Sequence, residues 1–192
     1  MSTNSAMPLP HDIVAYLAEL DQADRAAKSL VAGLSDDQGN WHPAGGAAWS
    51  VAQCLDHMAS TNTAYLPPLQ RAASAARAGH VPYRAGGFAS KYFLKKTEPP
   101  VSTKIKAPQK IQPSAKISVA EALAKFQHSN DAIRQFASET AGVDLCGVRF
   151  KNPFIPLLMN FTVASGLLII AAHNRRHLWQ AEQVLKQPDF PS

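Results

Sequence analysis

Between Asn152 and Asn174 the chain carries no Asp, Glu, Lys or Arg, and from Phe154 to Ala172 it is mostly apolar. A run of that length comes close to a membrane span and otherwise has to be buried in a protein interior. Pro153, Pro156, Asn160, Thr162, Ser165 and Gly166 interrupt it, and the helical pattern continues beyond it through His173. A loop followed by a buried helix explains the run better than a bilayer does. This last helix is expected from about Leu157 to about Lys186, with Pro188 just past its end.

The same helix carries His173 and His177, four residues apart and therefore about one turn from each other on one face. Two imidazoles so placed can grip a transition metal from one side, provided the rest of the shell comes from elsewhere in the fold. Among the other histidines only His57, within Trp49-Ser50-Val51-Ala52-Gln53-Cys54-Leu55-Asp56-His57-Met58, lies well inside a predicted helix in a comparable setting. A three-histidine site built from two helices is the central expectation. The plain alternative is three histidines satisfied inside a helical core. Gln180, one turn beyond His177, is placed to hydrogen-bond near a metal or a bound substrate. Asp56 neighbours His57, but adjacent helical residues point about 100° apart, so it reads as a surface charge. Cys54 reads as packing rather than as a ligand. Asn174, Arg175 and Arg176 lie between the two ligands and are expected to point away from them. His11, His42, His80 and His128 show no ligand spacing and are expected to be exposed.

The rest of the chain supplies partners for that buried helix. Ile13, Leu17, Leu20, Ala23, Ala27, Leu30 and Leu34 recur at helical intervals from Leu9 to about Leu34, stopping near Gly33. After a turn-rich connection holding the anchors Trp41 and Trp49, Ser50 caps a second helix reaching about Ala78. Pro67 and Pro68 suggest a kink or a break in it. A connection of nearly forty residues, 79–117, lets the chain travel a helix's height, so that helices two and three run parallel. Ser118-Val119-Ala120-Glu121 is a capping box opening a third helix to about Ala141, and a second long connection from Gly142 to about Leu157 precedes the fourth. No strand pattern outweighs the helical ones, although Val101 to Ile117 can pair briefly. At 192 residues the expectation is a loose tail over 1–8 and one all-α domain over 9–187.

Charge and cysteines narrow the class. The net charge is +5, yet the stretch from Lys91 to Lys116 holds seven lysines against Glu98 alone, so the remainder is nearly neutral. That stretch has no arginine, and Pro99, Pro100, Pro108 and Pro113 make it extended, so a solvated loop is favoured over a nucleic-acid contact. Two cysteines, Cys54 and Cys146, form neither a C-x-x-C pattern nor a disulfide framework. With no basic and apolar leader visible, a cytoplasmic protein is expected.

Two stretches carry a resemblance. Leu34-Ser35-Asp36-Asp37-Gln38 with Trp41, then Trp49-Ser50-Val51-Ala52-Gln53 leading to His57, is similar to the DinB/YfiT-like superfamily, and Ala172-His173-Asn174-Arg175-Arg176-His177-Leu178-Trp179-Gln180 resembles its other signature. The resemblance covers the four predicted core helices, Leu9 to Leu185. It implies a four-helix bundle with up-down-down-up topology and a divalent metal, nickel or zinc, held by His57, His173 and His177. It also implies metal-dependent hydrolysis, or transfer of a low-molecular-weight thiol such as bacillithiol or mycothiol to a small-molecule electrophile. A non-catalytic helical binding protein with a vestigial site is the alternative. A homodimer is expected in either case, and the 40-residue basic connection is expected to cover or narrow the mouth of the site.

Overall fold

The computed structural model describes residues 8–43, 46, 48–101, 106–154 and 161–192. Residues 1–7, where the loose tail is expected, lie outside the described residues, as do 155–160; the fourth helix, expected from about Leu157, starts at Val163, after Thr162 caps it from an extended backbone. Four long helices dominate: α1 (His11–Val31), α3 (Val51–Ala73), α5 (Val119–Glu139) and α6 (Val163–Leu185). Between them lie a one-turn α2 (Asp36–Gly39), an eleven-residue α4 (Gly87–Thr97) and a 3-10 turn at Gln109–Ile111. Two short strands, β1 (Arg149–Phe150) and β2 (Phe161–Thr162), pair antiparallel. No helix among the described residues is long and apolar enough to cross a membrane.

The helix starts follow from local chemistry. Ser50 and Gln53 form a reciprocal capping box at the start of α3, and Ser35 and Gln38 form another on α2, a turn that the sequence reading missed inside a connection. Ser118 accepts from the Glu121 backbone N–H, but only half of that expected box is made. The Glu121 carboxylate instead pairs with Lys125 at 3.1 Å. At α6 the Thr162 hydroxyl accepts from the Ser165 N–H at 3.1 Å.

Three expectations need correction. Pro67 and Pro68 do not break α3, which runs through them and ends at Ala73 rather than Ala78. Pro67 and Thr63, one turn earlier, lie on the exposed side, where water takes over a carbonyl that loses its ladder partner. Tyr65 and Leu69 stay buried on the opposite side and hold the helix in place. The basic connection is not extended throughout, because α4 occupies its middle. Pro99, Pro100, Pro108 and Pro113 fall after Thr97, so they follow the helix instead of preventing it, and Phe93 meets Phe161 at 5.8 Å. Strand pairing occurs in the second connection, between β1 and β2, and not among the described residues of 101–117.

Each long helix packs on two others: α3 against α5 and α6, and α1 against the same pair. The interior divides into two apolar clusters. One gathers Leu20, Tyr65, Leu69, Ile133, Phe161, Leu167 and Ile170, the other Ala27, Val51, Leu55, Met58, Phe126, Leu178 and Ala181. Gly166 makes the first cluster possible, since a Cβ there would come within 2.7 Å of Leu69 and 2.9 Å of Phe150. Where the four helices come closest to sharing a polar layer, Asn130 accepts from the Asn62 amide at 3.0 Å and from the Asn174 amide at 3.2 Å. It donates in turn to Asp24 at 2.7 Å. Arg134 closes that layer against Asp24 and Asp21.

Candidate metal centre

The two helices that carry the predicted ligands meet directly. His57 comes from the second turn of α3, with His173 and His177 one turn apart on α6. Their donor atoms all lie within 4.8 Å of one another, and the Nε2 atoms of His57 and His173 are 3.1 Å apart. The three rings are mutual neighbours, with centroids 4.4 to 5.0 Å apart. His57 and His177 are buried and His173 is partly buried.

The far side of two rings is anchored. Nδ1 of His57 lies 2.7 Å from the Ile111 carbonyl oxygen, which can only accept, so the proton is on Nδ1 and the Nε2 lone pair faces inward. Nδ1 of His177 lies 3.0 Å from Oε1 of Gln180, with the same consequence. Gln180 thus takes the supporting position that its spacing suggested. His173 has no such anchor: its Nδ1 is buried without a hydrogen-bond partner among the described residues.

Trp49 and the end of the basic connection pack against the cluster. Trp49 lies over His57 at 4.5 Å and His177 at 5.7 Å between ring centroids, so this anchor touches the candidate ligands themselves. The end of the basic connection is laced to the first turns of α3, behind His57. Gln53 donates to the Ser114 carbonyl at 3.0 Å, and Asp56 accepts from the Ser114 N–H at 2.8 Å. Asp56 is therefore not the expected surface charge. It is 5% exposed, because holding that segment and pairing with Lys125 at 3.5 Å give its carboxylate the partners that water would have supplied. Sequence spacing gave no signal for the Ile111 carbonyl, which reaches His57 from 54 residues away.

The sequence profile of the DinB superfamily matches residues 19–181, most of the chain and all three histidines. This chain belongs to the DinB superfamily. No curated protein and no solved structure matches it.

The remaining sequence candidates sort clearly in this DinB-superfamily chain. Cys54 is fully buried in an apolar cluster, and burial pushes its thiol up to about 12, so it packs and does not ligate. His11 and His128 are exposed as expected. His80 and His42 are not. His80 meets Asp12 at 2.8 Å and His42 meets the Ala48 carbonyl at 3.0 Å, which draws both partly out of solvent. Asn174 and Arg175 turn away from the site, Asn174 into the polar layer and Arg175 to Glu98 and Glu19. Arg176 donates to the Lys96 carbonyl at 3.3 Å, at the end of α4.

Burial holds all three histidines below the ordinary imidazole range. His173 and His177 are pushed well down, with neighbouring histidines and Arg176 acting in the same direction. For His57 the Ile111 hydrogen bond and Asp56 oppose the shift in part. Neutral imidazole is the form that binds metal. The fit of a metal can be tested on the tautomers. His57 and His177 present inward lone pairs, and His57 faces His173 nitrogen to nitrogen at 3.1 Å. A hydrogen bond of that length holds one proton between the two nitrogens, and a metal ion bound by both would take its place. The three-histidine group can hold a metal ion.

Proposed function

We propose that this DinB-superfamily protein binds one divalent transition metal, zinc or nickel, through His57, His173 and His177. On this reading it is a metal-dependent hydrolase or low-molecular-weight-thiol transferase acting on a small electrophile. The reading includes the up-down-down-up four-helix bundle that the long connections suggest and a homodimer in the cytoplasm. The observation that carries it is the convergence of three imidazole nitrogens within 4.8 Å of one another, with two of the rings held by acceptors behind them.

Three nitrogen donors leave at least one coordination position for a reactant, the pattern of catalytic and not structural metal sites. When bound, the ion supplies Lewis acidity, which lowers the pKa of a water or thiol held there. The chain does the rest. Ile111 and Gln180 fix the orientation of two ligands, Trp49 closes one wall with an apolar surface, and the 109–115 segment limits the opening toward α3. Histidines whose protonation is disfavoured by burial keep their lone pairs available near neutral pH.

The test has two parts. Elemental analysis of tag-free protein is expected to find about one zinc or nickel per chain, lost in His173→Ala. The loaded protein is then assayed with activated esters and with a low-molecular-weight thiol plus an electrophile. Turnover lost in His173→Ala supports the enzyme. A loaded protein inert in both assays leaves the binding-protein alternative, and a chain that refuses metal sinks the reading.

A further inference from the structure

The α4 helix is fastened to the fold along one side and open along the other. Its Ser90 and Thr97 are buried, and Phe93 and Leu94 pack against the first apolar cluster. At its start the Gly86 N–H donates to the Ser165 hydroxyl at 2.8 Å, and just past its end Glu98 meets Arg175 at 2.5 and 3.0 Å. An eleven-residue helix held at both ends presents its outer face as a fixed surface.

That face pairs aromatic rings with lysines. Phe88 is 85% exposed and Tyr92 52%, and these are the two aromatic side chains left exposed among the described residues. With Lys96 they follow one another at four-residue steps along one line of the helix. Lys91 and Lys95, both exposed, form a second line beside it. Within α4 there is no Asp or Glu to offset its three lysines, and Glu98, the next residue, is taken by Arg175.

Exposed aromatic rings rimmed by lysines suit an anionic lipid surface, where rings enter the headgroup boundary and ammonium groups reach the phosphates. Two other occupants suit the face less well. A nucleic acid needs free ring faces for its bases. Here Phe88 and Tyr92 stack on one another, 19° from parallel with centroids at 6.3 Å, and Lys96 covers Tyr92 at 5.8 Å. A second copy of the helix would set lysine against lysine. We propose that α4 docks this protein on an anionic membrane surface, with Phe88 and Tyr92 inserted and Lys91, Lys95 and Lys96 on the lipid phosphates. Eleven residues are too few to span a bilayer, so the helix lies in the plane of the interface and the attachment is reversible. The proposal is independent of the metal reading.

Co-sedimentation of the full chain with vesicles tests it, using phosphatidylcholine alone and phosphatidylcholine with one third phosphatidylglycerol. The protein is expected to bind the anionic vesicles, to ignore the neutral ones, and to be released progressively as salt rises. Phe88→Ser combined with Tyr92→Ser is expected to weaken binding by at least about tenfold, and Lys95→Gln combined with Lys96→Gln by roughly tenfold. Lys28→Gln, an exposed lysine of α1, is expected to bind as wild type. Phe88→Trp keeps an aromatic ring suited to the interface and is expected to bind at least as well as wild type. The side chains replaced are exposed, so melting curves are expected to match wild type; if the serine variant melts early, the lysine pair decides alone. Wild-type protein left in solution by the anionic vesicles, equal binding to both vesicle types, or a serine variant that folds and binds as wild type overturns the proposal. An oligothymidylate bound through the same lysines in place of the vesicles assigns the face to nucleic acid and overturns it as well.

Discussion

Two polar groups sit inside this protein, close together in α6, and they are built on opposite rules. In the Asn130 layer every amide donor named meets an acceptor. Asn62 and Asn174 donate to Asn130, Asn130 donates to Asp24, and Arg134 ties Asp24 to the edge of the fold. In the histidine cluster two rings turn Nδ1 outward, to Ile111 and Gln180, and the Nε2 atoms of His57 and His173 face one another across 3.1 Å. The first arrangement satisfies its donors within the protein, while the Asn62 and Asn174 amide oxygens are buried without a partner among the described residues. The second brings three imidazoles together with only two of their outer nitrogens anchored. Buried polarity therefore has two meanings here, and Asn174 and His173 show that adjacent residues can serve one each.

The strongest way to break the comparison is His177→Ala. It is expected to reduce bound metal from about one per chain to none detectable by elemental analysis, while the unfolding free energy of the metal-free protein changes little. If metal stays bound, the cluster is no site and the contrast collapses.

Asn130→Ala should do the reverse. It takes the acceptor from the Asn174 amide and from one N–H of Asn62, whose nitrogen keeps Ser129, in a position with no exposure, at an expected cost of about 2 kcal/mol in urea unfolding, with zinc stoichiometry retained. A variant as stable as wild type would show that the layer holds nothing together.

Gln180→Leu sharpens the role of the outward donors. Removing the acceptor behind His177 is expected to weaken zinc roughly 10- to 100-fold in chelator competition, with stability within about 1 kcal/mol. Unchanged zinc affinity would mean that Gln180 does not orient the ring.

The smallest effect is one of pH. The histidine pKa values are lowered on folding, so the unfolded chain binds protons that the native site refuses, and stability falls as pH drops below about 6.5. The loss should approach at most about 1.4 kcal/mol per pH unit for each histidine in metal-free protein. His173→Gln should flatten that dependence and Asn130→Ala should not, because amides do not titrate. Parallel slopes in all three proteins would show that the histidines are not held neutral by the fold.

The three-histidine cluster was legible in the sequence because helical periodicity turns a four-residue interval into a shared face, and His57 stood in the only comparable setting. Gln180 was legible on the same ground, three residues beyond His177. Asp56 was misread by that rule. Its direction along α3 was irrelevant once a segment 58 residues away supplied an N–H. The α4 helix was hidden by prolines that lie beyond it and by lysines on its solvent side, which mask the buried pair Ser90 and Thr97.

What the sequence determined alone was local and periodic: four long helices, the caps at Ser50 and Ser118, and three histidines with the spacing of ligands. These depend on neighbours within a turn or two, and the chain carries that information directly. What only the tertiary structure decided was non-local. It brought Ile111 behind His57, Trp49 against two of the histidine rings, the end of the basic connection onto α3, and Asn130 between Asn62 and Asn174. A buried donor or acceptor must find a partner wherever packing offers one, and packing is a property of the whole chain.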